Sequence, residues 1–295
     1  DIVNSDPVFA GATDAGYGKL PGTEGSTYAA WVTAKESRAQ MVYVGGNDGL
    51  LHGFDATTGV ERLAYVPNAV YANLATLTAR SYSHRYYVDG APSVGDIHDG
   101  SRWRTLLVGT LGAGGRSVFG LDVSDPASFG AGQVLWEYTD ADLGEGVRQA
   151  LIVRTHDSAH PWVVLFGNGY NGTSGNAVLY ALDAISGTQL AKIVLPVTGS
   201  NGLATPVDWD ADGVEKLAAL QDALKLDPKQ PLAQYVMLSR RADKALDTAA
   251  LRQPTALEEK TPRNVERALF DQPLGEEERL AFEKKQDALR HEAGQ

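Results

Sequence analysis

Along residues 1–214 the apolar positions come in short alternating runs broken by glycine, the period-two signature of strands. The clearest stretch is Val42–Gly59, VYVGGNDGLLHGFDATTG. Val42 and Val44 flank Tyr43 in one strand. Asn47-Asp48-Gly49 then forms a hairpin turn, because these residues tolerate the left-handed backbone such turns require. Leu50–Phe54 form the return strand. Asp55-Ala-Thr-Thr-Gly59 is the next turn, with Asp55 placed to accept backbone N–H groups and Gly59 free to take a positive φ.

Related patterns occupy Leu106–Asp122 and Val163–Gly187. Each has a strand ending in glycine (Gly45, Gly109, Gly167), a glycine-rich turn, and a strand ending in an apolar residue and Asp (Asp55, Asp122, Asp183). Each is preceded by an apolar opener: Asp6–Phe9, Ala91–Val94, Ala150–Val153. A fourth opener, Ala204–Val207, stands alone. The later spacings give a period of roughly 57–61 residues, so four short strands per unit predict propeller blades. Thr27–Gln40, with Tyr28, Trp31 and Val32 at helical spacing, predicts a helix inserted in the first blade. Arg62–Pro67 closes that blade. Asn68–Asp89 is a long connection with a helical turn, of the kind that carries function on propellers. The second blade spans 90–140 and ends in Val134–Tyr138, the third spans 147–197, and a fourth begins at Leu203 and reaches Asp212.

From Glu215 the period becomes helical, with Leu217, Leu220, Leu224 and Leu226 on one stripe. Ala223–Pro228 faintly resembles the helix end of a tetratricopeptide repeat. Composition breaks at the same place. Residues 1–214 hold 30 of the 32 glycines and 21 of the 24 aromatics, whereas residues 215–295 are rich in helix-forming residues. The fold class expected is mainly β: a partial β-propeller of three blades and the start of a fourth over residues 1–213, then an α-helical region over 214–295.

A net charge of −11 argues against a nucleic-acid partner. The absence of cysteine excludes disulfides and thiolate metal sites. No apolar run approaches the ~18 residues of a membrane-spanning helix. Opening at Asp1 without a leader, the chain reads as a mature product or an excised piece.

Asp1–Pro7, Tyr43–His52, Ser83–Gly90, Leu111–Phe119 and Phe166–Tyr170 together resemble the C-terminal β-propeller of the PilY family, in order, over about residues 1–213. These are type IV pilus tip-associated adhesins and pilus-biogenesis factors. The resemblance implies a modified seven-bladed propeller at the cell surface or pilus tip, exported through the periplasm and outer membrane, that supports pilus extension, twitching motility and attachment. The partners it implies are pilins or minor pilins and host or abiotic surface ligands. It also implies a calcium loop, here Asp208, Asp210 and Asp212 with the Val214 carbonyl. Three carboxylates at alternate positions suit a hard cation. The last ligand departs from the pattern, since Lys216 stands where the family has an acid. Ca2+ binding and a solvated acidic turn capping the following helix both remain open. Three and a fraction blades cannot close a ring, so either the helical tail covers the open edge or the chain is a joined product.

Other chemistry competes with structural readings. The Asp-x-x-x-Gly turns at Asp55 and Asp183 resemble those of pyrroloquinoline-quinone dehydrogenases. Those enzymes stack a tryptophan at the blade end, where this chain has Leu63 and Tyr65 after Gly59 and Leu190 after Gly187. Gly109–Arg116 has the glycines of a phosphate cradle but precedes a strand, which predicts a hairpin. His156 and His160 are i, i+4 in a hairpin loop. Tyr82, Tyr86 and Tyr87 read as packing. The leading expectation is a non-enzymatic pilus-biogenesis and adhesion propeller; the alternatives are a quinone-type enzyme and a scaffold whose helical tail binds a partner.

Overall fold

The structure, a computed structural model, describes residues 1–195 and 202–204, and the backbone of 214–215. Three antiparallel units of four strands follow one another along the chain, each with its strands side by side in chain order. The first holds β1 (Val8–Ala10), β2 (Met41–Gly45), β3 (Leu51–Asp55) and β4 (Glu61–Tyr65). The second holds β5 (Ser93–His98), β6 (Trp103–Thr110), β7 (Val118–Asp122) and β8 (Val134–Tyr138). The third holds β9 (Leu151–Thr155), β10 (Trp162–Gly167), β11 (Val178–Asp183) and β12 (Gln189–Val194), with the two-residue β13 (Val214–Glu215) parallel to β9. The first strands β1, β5 and β9 lie successively against one another, the inner edges of adjacent propeller blades.

Because side chains alternate across a strand, a blade between two others is apolar on both faces. In the second blade Leu107, Phe119 and Leu121 join Met41, Tyr43, Leu51 and Leu63 of the first. On the opposite face Leu106, Val108, Val118 and Trp136 join Val164, Phe166, Val178 and Tyr180 of the third. The far face of the third blade carries a smaller buried cluster of Val153, Val163, Leu165, Ala181 and Ala191. The far face of the first is open: Phe9, Val42 and Phe54 are in register across β1–β3, and Phe9 is 55% exposed.

The inserted helix α1 spans Gly22–Glu36, five residues earlier than its apolar spacing predicts. Pro21 sits at its N-cap, and Gly25 packs so tightly on Leu20 that a Cβ there would lie 1.9 Å from the Leu20 carbonyl oxygen. Backbone contact, which leaves no hydrophobic periodicity, thus sets the first turn. The long connection holds α2 (Asn68–Tyr71) and a 3-10 turn (Leu74–Thr78), as its pattern predicts. β4 closes the first blade at Tyr65, two residues short of the expected Pro67.

Of the fourth blade, Gly202–Ala204 are described. The remainder of that opener lies outside the described residues. Of the helical region expected over 214–295, Val214 and Glu215 are described and form strand β13 beside β9 in place of a helix start, and the rest lies outside the described residues. No described helix is long and apolar enough to cross a membrane.

Candidate functional site

The turn after each third strand is built on its aspartate. Asp55 Oδ1 accepts the N–H groups of Thr57 and Thr58 at 3.0 Å, and its Oδ2 accepts Arg62 Nε at 2.9 Å. Asp122 accepts Ser124 N–H at 3.0 Å and Arg104 Nη1 at 2.6 Å. Asp183 accepts Ile185 and Ser186 N–H at 3.1 and 2.8 Å and meets His160 Nδ1 at 3.0 Å. The Thr58 N–H, then Arg62, hold the Asp55 carboxyl down to about 2. Burial works to raise the Asp183 carboxyl, but His160 and the turn N–H groups outweigh it and the net shift is downward. Gly59 and Gly187 close two of these turns at φ 72° and 69°, as the Asp-x-x-x-Gly spacing requires. His160 of the His156/His160 pair thus serves a turn, and His156 is exposed.

The glycine ending each second strand, or one just beyond it, receives the lead-in of the next blade. A Cβ on Gly45 would sit 2.2 Å from Val88 O, and one on Gly167 would sit 2.2 Å from Leu203 O. Beside these glycines, Asn47 Oδ1 accepts Tyr87 N–H at 3.0 Å and Asn168 Oδ1 accepts Leu203 N–H at 3.0 Å. Asn168 is fully buried; its Oδ1 also accepts Val178 N–H, and its Nδ2 donates to Asp142 O and Asn176 O. Leu203 is therefore seated on the third blade as Val88 is on the first. The Gly109–Arg116 loop leads into strand β7, so it is a hairpin and not a cradle opening a helix.

Two sets of residues escaped the sequence reading. The first is Trp136. Its ring lies against Gly120 of its own blade and Gly187 of the next, and its Nε1 donates to Ala184 O at 3.1 Å. The contrast with tryptophan-docked propellers holds at Leu63 in the first blade but not in the second. The Gly120–Trp136 register repeats Gly53–Leu63, so the glycine two residues before Asp55 and before Asp122 was the available signal for a docked side chain.

The second set braces the blades through α1. Lys35, 3% exposed, places Nζ 2.5 Å from Asp96 Oδ2 and donates to Thr13 O at 2.7 Å. Tyr28 also donates to Asp96, at 2.9 Å, and burial foremost raises its hydroxyl well above the usual tyrosine range. In the first turn of α1, Glu24 accepts Trp162 Nε1 at 3.1 Å and Arg154 Nη2 at 2.6 Å, while its carbonyl accepts Trp103 Nε1 at 3.1 Å. Lysine two turns from a buried tyrosine was the available signal for a buried charge.

Outside this brace, α1 and the rim of the second blade enclose a groove of about 550 Å³. Thr27, Ala30, Trp31 and Ala34 form its helical wall; Arg102, Asp125 and Gln133 are among the polar residues opposite. Trp31 keeps a buried Nε1–H without a hydrogen-bond partner among the described residues. Elsewhere, Glu61 and Asp89 bound a stretch without a single acidic residue, and its connection exposes Tyr71, Tyr82 and Tyr86. Tyr87 alone of the predicted aromatic cluster is core, its hydroxyl donating to Asn73 O at 3.1 Å.

The predicted calcium ligands Asp208, Asp210 and Asp212 lie outside the described residues, and Val214 is described in backbone only, in β13. Among the described residues no cluster of three or more His, Asp or Glu side chains is arranged to hold a metal ion.

The family model described as PilY1 beta-propeller domain matches residues 1–224. A type IV pilus biogenesis factor PilY1 homolog of Xylella fastidiosa is 42% identical over 216 residues, 72% of this chain and 17% of that protein. The type IV pilus biogenesis factor PilY1 of Pseudomonas aeruginosa is 40% identical over 233 residues, 75% of this chain and 20% of that protein. The crystal structure of the P. aeruginosa PilY1 C-terminal domain is similar at a TM-score of 0.52 and 39% identity, covering 63% of this chain and 37% of that one. This chain thus spans a fifth or less of the length of these curated relatives. Blades, lead-in seats and sequence agree: the chain belongs to the PilY1 β-propeller family.

Proposed function

We propose that this chain serves type IV pilus biogenesis and surface adhesion as a non-enzymatic binding propeller. The observation that carries the reading is the family match over residues 1–224, with three blades at 39% identity to a solved PilY1 domain. The turn aspartates support the non-enzymatic part, because each is taken up by backbone N–H groups and a basic partner. Display at the cell surface or pilus tip, pilins or minor pilins as partners, and host or abiotic surface ligands follow from the same membership. Deleting the coding region for residues 1–224 in the source bacterium should abolish surface pili and twitching. Unchanged piliation would overturn the reading.

Calcium-linked stability rests on the Asp208, Asp210 and Asp212 carboxylates and the Val214 carbonyl, whose spacing suits Ca2+. A ligand that binds only the native state raises its stability by mass action. The melting temperature should therefore rise with calcium and fall with a chelator, and Asp210→Ala should remove the difference. A melt indifferent to calcium would make the loop an acidic turn.

A further inference from the structure

We propose that the groove between α1 and the rim of the second blade binds one ring of a neutral sugar, as part of a surface glycan. The inference rests on the adhesion reading for its biological meaning, but its chemistry stands on the groove. At about 550 Å³ the groove is the size of a small-molecule site.

One wall is apolar. Ala30 and Ala34 present methyl groups from α1, and Trp31 adds an indole between them. Such a wall accepts the C–H face of a pyranose, and the small residues leave width for a ring. The other wall is polar and has hydrogen-bonding capacity to spare. Asp125 Oδ1 accepts Ala127 N–H at 3.0 Å, leaving Oδ2. Gln133 Oε1 accepts Gly130 N–H at 2.9 Å, leaving Nε2 to donate. The Arg102 side chain is 67% exposed and reaches Asp99 only at 3.9 Å. Carboxylate, carboxamide and guanidinium are planar groups with paired donors or acceptors, the geometry that vicinal hydroxyls satisfy.

Charge decides against an ionic ligand. Asp122, also in the lining, is matched by Arg104 at 2.6 Å. Around the groove Asp99, Asp122 and Asp125 stand against Arg38, Arg102 and Arg104, so it favours neither anion nor cation. The rim is held in place: Asp99 accepts the N–H groups of Ser101 and Arg102 at 2.9 and 2.8 Å and Arg104 Nε at 2.5 Å. A preformed rim loses little entropy on binding.

The test is ligand-observed saturation-transfer NMR on the full chain with glucose, galactose, mannose and N-acetylglucosamine, and with methylphosphonate, an anion with observable protons, as charged probe. At least one sugar should show transfer and methylphosphonate none. Ala30→Phe, at an exposed helical position, should abolish it by filling the groove. Asp125→Ala and Gln133→Ala should each weaken affinity roughly three- to tenfold, the loss of one hydrogen bond. If Ala30→Phe does not fold, these two variants decide. No transfer from any of the four sugars, or transfer untouched by the variants, overturns the proposal. Cell attachment, measured separately, distinguishes the two failures: attachment that persists when the chain binds no sugar sinks the glycan site alone.

Discussion

The two blade interfaces use the same positions with different chemistry. Between the second and third blades, Trp136 fills the space over Gly120 and reaches the next turn with a hydrogen bond to Ala184 O. Between the first and second, the matching residue is Leu63 over Gly53, which has no polar reach. There Arg38, just past α1, makes the link instead, donating to Ser124 O and Thr105 Oγ1 of the second blade. Two residues beyond each apolar plug stands a tyrosine. Tyr65 bonds to Glu137 across the first interface and Tyr138 to Gln189, at 2.5 Å, across the second. The repeat conserves a plug and a hydroxyl link. The polar link to the next turn is supplied once by the plug itself and once from the helical insert.

The sharpest break in this comparison is Trp136→Ala. It should cost about 4 kcal/mol, against about 3 for Leu63→Ala, both read from denaturant midpoints. Trp136→Phe, which keeps a ring but loses the donor, isolates the Trp136–Ala184 hydrogen bond: it should cost at least about 1 kcal/mol, and no cost would mean that bond adds nothing. Lys35→Met tests the brace: it leaves Asp96 buried without its cation and should destabilise by about 3–5 kcal/mol, whereas the double change with Asp96→Leu should recover much of that. Asn168→Ala should cost about 3 kcal/mol, and Asn47→Ala about 1, because the first strands four partners, two of them buried and two half-buried, and the second one.

Two smaller effects bear on the first blade. His52 lies between Asp48 and Glu61, at 3.0 and 2.6 Å, on the open face. Burial works to lower its pKa, but Glu61 and then Asp48 outweigh it and the net shift is upward. A raised histidine contributes stability that is complete below the unfolded value of about 6.5 and is lost as pH rises through the folded value. His52→Gln should flatten that decline in a melt series from pH 6 to 8. At the acid end Asp55 works in the opposite sense. Its depressed carboxyl stabilises above the unfolded value of 3.8, and that contribution disappears as pH falls toward 2. Asp55→Asn should remove this part of the acid sensitivity.

The blades were legible because glycine turns and alternating strands leave a local signal. Asp55, Asp122 and Asp183 marked their turns correctly, and Val134–Tyr138 is the predicted strand. What the chain hid was long-range. Glu24 and Lys35 look like solvated helix charges until Asp96, Arg154 and Trp162 are brought to them. Trp136 went unread because the longer turn after Asp122 moves it out of the spacing that Leu63 keeps. Asn168 is one polar residue in a glycine-rich loop, and its four bonds reach partners up to 35 positions away.

The brace also sets an order of assembly. Helix α1 emerges during synthesis long before the residues that satisfy it: Lys35 waits 61 positions for Asp96, and Glu24 waits 138 for Trp162. Until then both charges remain in water and the first blade lacks its seat, so the contacts that rigidify the oldest part of the chain form late. Nascent chains arrested before residue 96 should leave α1 open to protease, and those carrying the third blade should protect it.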